Sequence, residues 1–118
     1  MTRHQILDAV LDSGAVAVVR MADSSRLVRL AEALAEGGVT AIEVTMTTPD
    51  ALAVIGAVSR ELGDAVTVGV GSVLDAETTR RAVDAGARYV VSPVFKTEII
   101  TESHRLGVPA MTGCFTPT

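Results

Sequence analysis

The chain of 118 residues is 48% hydrophobic, 3% aromatic and carries a net charge of −4, enough apolar material for one domain with a core of its own. Its basic residues are scattered rather than striped, which argues against a nucleic-acid partner, and its longest wholly apolar run is far too short for a bilayer span. The single cysteine, Cys114, cannot form an internal disulfide, and with no charged-then-apolar leader at the start the expected address is cytoplasmic.

The first element is a helix predicted over Arg3–Leu11, whose Ile6, Leu7, Val10 and Leu11 make one apolar face before Gly14. Runs rich in β-branched residues then follow at Ala15–Arg20, Ala41–Met46, Val66–Val73, Tyr89–Pro93 and Pro109–Phe115, and a helix-like stretch comes after each of the first four. Ser24 or Ser25, Thr48, Asp75 and Thr97 stand where helix N-caps belong, with Pro49 at a first helical position. Gly37-Gly38, Gly63, Gly86 and Gly107 sit just past the periodic stretches, where helices stop. The pattern is a βα repeat.

Strands joined by helical crossovers lie parallel, in either an open doubly wound sheet or a closed (βα)8 barrel. Five units would complete a flavodoxin-like sheet but only part of a barrel, which needs eight units and typically ~250 residues; pattern alone leaves both open. The closing FTPT gives a strand end, Thr116 as a cap and Pro117 as a first helical residue, so the expectation is a chain cut where its fifth helix would begin.

Glu43 raises the functional question. It sits in the apolar centre of VTAIEVTMTTPD, where an ionised carboxylate is costly unless paired, protonated or needed by a site. By alternation Ala41, Glu43 and Thr45 point one way and Ile42, Val44 and Met46 the other. A small and polar face opposite a large apolar one suits a barrel strand, with the apolar side against outer helices and Glu43 near the catalytic C-terminal mouth. The other strand ends offer Arg20, Gly71-Ser72, Ser92-Pro93 and Thr112-Gly113, which together suggest a site for a small anionic, oxygenated substrate. Gly69-x-Gly71 lacks the third glycine of a dinucleotide loop. His4 and His104 are far apart without a ligand-like neighbourhood and read as ordinary surface residues, so no metal is expected.

AVAVVR, EGGVTAIEVTMTTPDA, VGVGSVLD, AVDAGARYVVSP and GCFTPT together resemble, in order and over nearly the whole chain, the N-terminal part of the 2-keto-3-deoxy-6-phosphogluconate/4-hydroxy-2-oxoglutarate aldolases. The resemblance implies an α/β fold in which residues 1–118 are the N-terminal portion of one (βα)8 TIM-barrel domain, roughly its first five βα units, preceded by a short helix within 1–14. It implies a class I aldolase that cleaves a keto acid to pyruvate and an aldehyde through a Schiff base, without a cofactor or metal. Glu43 matches the family's proton-shuttling glutamate. Ser72 matches the hydroxyl residue that helps hold the pyruvate carboxylate, Pro93 the pocket proline, and Arg20 an arginine found after strand one in some members. Thr47 stands where some members carry a carboxylate-binding arginine, which leaves more of the anion binding to Arg20; Thr45 and Thr47 complete the expected substrate-binding set. The family's lysine lies on strand six, beyond Thr118. Lys96, the single lysine, matches no catalytic position and reads as a solvated loop residue, so the isolated chain should be inactive. The partners implied are a small keto acid and, at full length, a homotrimer. The competing reading is a non-enzymatic, flavodoxin-like binding module with Glu43 as a paired structural carboxylate.

Overall fold

The computed structural model describes residues 1–118. Helix α1 (Arg3–Ser13) precedes a run of strands and helices: β1 (Val16–Val19), α2 (Leu27–Glu36), β2 (Ala41–Thr45), α3 (Ala51–Leu62), β3 (Thr67–Gly71), α4 (Ala76–Ala85), β4 (Val90–Ser92), α5 (Thr97–Arg105) and β5 (Ala110–Thr112). The strands form one parallel sheet in the order β1-β2-β3-β4-β5. A flavodoxin-like sheet has the order 2-1-3-4-5, with helices on both faces. Here the order never reverses, and α2, α3, α4 and α5 pack each against the next in a single layer. The doubly wound alternative is therefore not the topology of this chain.

Local chemistry sets the helix ends. α1 begins in a capping box, with Gln5 N donating to Thr2 Oγ1 at 3.2 Å and Thr2 N to Gln5 Oε1 at 2.8 Å. It ends at Gly14, whose φ of 69° is left-handed. The Ser13 hydroxyl then donates to Ala15 O at 2.8 Å and accepts from Thr40 N at 3.1 Å and Ala41 N at 3.2 Å, which fastens α1 beneath the start of β2. Asp75 caps α4 as expected, its Oδ1 accepting from Thr78 N at 2.7 Å. Three other caps differ from the sequence expectation. Asp23, an ionised and stronger acceptor than Ser24 or Ser25, takes Ser25 N at 3.0 Å and starts a single 3-10 turn, so α2 opens only at Leu27. After β2 the chain makes a turn, Thr48 N donating to Thr45 O at 3.0 Å, and α3 starts at Ala51 behind Asp50; Thr48 and Pro49 lie outside the helix. Thr97 is the first residue of α5, one place past the cap.

The strands are also shorter than their apolar runs. β5 stops at Thr112, although Gly113 N still donates to Ser92 O at 2.8 Å. The neighbouring strand then reaches Pro93, which has no N–H to continue the ladder.

Between sheet and helices lies the core. Ile42, Val44, Val68, Val70 and Val90 meet Ile55 and Val58 of α3 and Ile99 of α5, each 0–1% exposed. Fully burying one such side chain contributes about 1.5–3 kcal/mol. Glu102 of α5 accepts from Arg105 at 2.7 Å and from Arg80 of α4 at 3.1 Å, tying the last two helices across their outer surface. No helix is long and apolar enough to cross a membrane.

Ile55→Ala should destabilise the fold by about 2–5 kcal/mol, because a well-packed site relaxes only partly around a lost side chain. Urea unfolding followed by circular dichroism measures it; a loss below 1 kcal/mol would contradict the packing described.

Candidate active site

With α2 to α5 on one side, the sheet's other face carries different chemistry. Register places Val16 and Val18 of β1, Ala41 and Glu43 of β2, and Thr67 and Gly69 of β3 in two rows, with Thr45 level with Gly71 above them. Val70 pairs with Val90, so one step back Gly69 stands beside Tyr89. Glu43 of β2, Gly69 of β3 and Tyr89, just before β4, thus share one level. The β3 glycines provide the space: a Cβ on Gly69 would run into the Tyr89 ring, and one on Gly71 into the Glu43 carboxyl. These glycines serve side chains of neighbouring strands rather than a phosphate loop.

Glu43 is 8% exposed. Burial raises its pKa above the ordinary carboxyl value, and the positive charge of Arg20 partly offsets the rise. Tyr89 is 0% exposed and its hydroxyl has no hydrogen-bond partner. Burial first, then the negative charge of Glu43, pushes its phenol pKa up. The Glu43 charge therefore reaches the Tyr89 phenol.

Arg20, exposed just past β1, lines an open cleft of about 370 Å³ with Met21, Ala22, Thr47, Thr48 and Pro49. Thr45 is fully buried and its Oγ1 lies 2.7 Å from that of Thr47. Glu43, Arg20, Thr45 and Thr47 thus form one neighbourhood at the ends of β1 and β2. Ser72 follows β3 with φ 59°, a left-handed backbone that non-glycine residues adopt at a cost and that clusters at functional turns. Pro93 opens instead on a separate cleft of about 450 Å³, with Val94, Phe95, Gly113, Cys114 and Phe115.

Lys96 Nζ donates to Leu74 O at 2.7 Å, which ties the loop after β4 to the loop after β3. His4 and His104, far apart in sequence, line one cleft of about 250 Å³ at the opposite end of the sheet, with Arg3, Leu7 and the start of β5. They meet because α1 folds under the strands while α5 descends to the same edge. No cluster of three or more metal-binding side chains exists. Sequence reasoning passed over Tyr89. Counting back from Pro93 by twos puts it on the Glu43 face, but its approach to Glu43 depends on the gap at Gly69.

The family model of the KDPG and KHG aldolases matches residues 7–118. A 2-dehydro-3-deoxy-phosphogluconate aldolase of Treponema pallidum (strain Nichols) is 36% identical over 118 residues, covering 100% of this chain and 54% of the relative. Among solved structures, the 2-keto-3-deoxy-6-phosphogluconate aldolase of Zymomonas mobilis ZM4 with 3-phosphoglycerate superposes with a TM-score of 0.85 at 27% identity, over 97% of this chain and 54% of that one. The KDPG aldolase of Legionella pneumophila, with pyruvate captured at low pH as a covalent carbinolamine intermediate, does so with a TM-score of 0.79 at 28% identity, over 86% of this chain and 48% of that one. The chain spans about half the length of the curated relatives it matches.

Two expectations follow from this geometry. Gly69→Ala should cost about 1–3 kcal/mol in urea unfolding, the usual price of overpacking, because the Tyr89 ring is locked on all sides. Gly71→Ala should cost clearly less, since the group it displaces is the free end of a flexible side chain; equal losses would contradict the packing. The second expectation concerns pH. A carboxyl whose pKa is raised in the folded state favours folding when protonated, so this contribution is present below the ordinary glutamate value and is lost as pH rises above it. Glu43→Gln should therefore gain stability relative to the unsubstituted chain on going from pH 4 to pH 7; a stability difference that does not change with pH would show that Glu43 is not held in this way.

Proposed function

Since the chain belongs to the KDPG and KHG aldolase family, we propose that it supplies the first five βα units of a (βα)8-barrel class I aldolase that cleaves a 2-keto-3-deoxy-6-phosphosugar acid or 4-hydroxy-2-oxoglutarate to pyruvate and an aldehyde. The unreversed strand order and single helix layer support the barrel, as does coverage of about half of each matched structure. The observation that carries the reading is Glu43: a buried carboxyl with a raised pKa, on the helix-free face near the C-terminal strand ends, moderated by one arginine.

In this mechanism a lysine amine from strand six attacks the keto carbon, and loss of water leaves a protonated Schiff base that acts as the electron sink. The substrate hydroxyl gives up its proton as the adjacent carbon–carbon bond breaks, its electron pair forming the enamine, which is then protonated and hydrolysed to pyruvate. Glu43, directly or through one water, takes and returns these protons. A carboxyl whose pKa is lifted toward neutrality does both jobs better than an ordinary one, whose affinity for a proton is too low. Arg20, with Thr45, Thr47 and the turn at Ser72, holds the anionic end of the keto acid, and Pro93 lines the pocket from the β4 side, where its own cleft opens. Lys96 takes no part, consistent with its bond to Leu74 O. The homotrimeric assembly and cytoplasmic setting implied by the resemblance belong to the same proposal.

In a product as long as its relatives, Glu43→Gln should lower kcat by about 10² to 10⁴-fold, the usual worth of general acid–base catalysis, and borohydride with pyruvate should add one reduced adduct per subunit. In the 118-residue chain by itself, the same treatment should leave Lys96 unmodified by mass spectrometry. Near-normal kcat in Glu43→Gln, or a pyruvate adduct on Lys96, would overturn the assignment.

A further inference from the structure

We infer that Tyr89 is the positioning residue for Glu43: its hydroxyl donates a hydrogen bond, through one water, to the Glu43 carboxylate. Glu43 on β2 and Tyr89, just before β4, stand at one level with β3 between them. Strands two apart lie about 10 Å from each other, and a side chain on the middle strand would ordinarily keep such residues separate. Here the middle residue is Gly69, and the Tyr89 ring occupies the space a Cβ would need. One step toward the mouth, Gly71 leaves the room that the Glu43 carboxyl fills. Two adjacent glycine gaps thus let the phenol and the carboxyl lie next to one another over β3.

Hydrogen-bonding capacity points the same way. Tyr89 is fully buried and its hydroxyl has no partner in the chain, an arrangement that is costly unless an ordered water satisfies it. The acid beside it is Glu43, whose negative charge acts on the phenol. Arg20 is the only charged side chain acting on Glu43, and it does so from the exposed end of β1. Arg20 and Tyr89 therefore address the carboxyl from opposite sides, one as a charge and the other as an uncharged donor. A phenol whose own pKa is raised keeps its proton throughout the working range, so it can donate but does not compete as a base.

The inference deepens the proton-shuttle reading and depends on it only for its catalytic consequence. It is tested without turnover, so the two can fail separately. A donor to the ionised form favours that form, so Tyr89→Phe, which removes only the hydroxyl, should raise the Glu43 titration midpoint by about 0.5 unit or more. The midpoint is read from the side-chain carboxyl carbon of ¹³C-glutamate-labelled protein by NMR, with the Glu43 signal assigned by its loss in Glu43→Gln. A merely structural phenol would leave it unchanged, and an unchanged midpoint in a folded Tyr89→Phe overturns the inference. A second measurement does not depend on how that variant folds. In the unsubstituted chain the Tyr89 ring carbon bearing oxygen should titrate with the Glu43 midpoint, and this titration should vanish in Glu43→Gln; a Tyr89 signal flat across the Glu43 midpoint also overturns it.

Discussion

Every crossover in this chain runs on the same side of the sheet, and most of the remaining structure depends on that constraint. Right-handed connections between strands laid down in sequence order place α2 to α5 in one layer. That layer needs an apolar face to pack on, which Ile42, Val44, Val68, Val70 and Val90 provide. The opposite face has no helix to satisfy and can carry Glu43, Thr45, two glycines and a tyrosine. In a doubly wound sheet both faces would have to be apolar, and a carboxyl at position 43 would be stranded under a helix.

On the helix-free face, space rather than charge does the positioning. Gly69 and Gly71 contribute no side chains, and each makes a vacancy into which a neighbouring strand sends one. Their value therefore lies in what they permit across the strand pairs, while they also weaken β3 as glycines weaken any strand. The strand tolerates this because it is central, paired on both sides and buried along its whole length.

Burial and charge then act on Glu43 in opposite directions. Removing the carboxyl from water favours its neutral form, and Arg20 favours the ionised one. Arg20 stays exposed, so its pull is screened by solvent and the burial effect prevails. Arg20, Thr47 and Thr48 gather around the ends of β1 and β2, while Pro93 faces a cleft with Phe95 and Phe115 beyond β4 and β5. The helix-free face thus has a polar end and an apolar end.

The sequence by itself determined the βα alternation, the position of all five strands and the two faces of β2, because periodicity and stop signals are local: Ile42, Glu43 and Val44 alternate whatever surrounds them, and Gly38, Gly63 and Gly86 end helices by backbone conformation alone. It also singled out Glu43, since a carboxylate in a β-branched run is anomalous before any fold is known. Helix starts were less legible, because Asp23 caps ahead of the nearby serines and the turn after β2 carries the chain past Thr48 before α3 begins. The strand order, and with it the choice against a doubly wound sheet, could not be read from a repeat that both architectures share. Only tertiary structure brought His4 to His104 and Tyr89 to Glu43, because those pairings depend on how α1 folds under the sheet and on which residue of β3 has no side chain at the level where its neighbours meet.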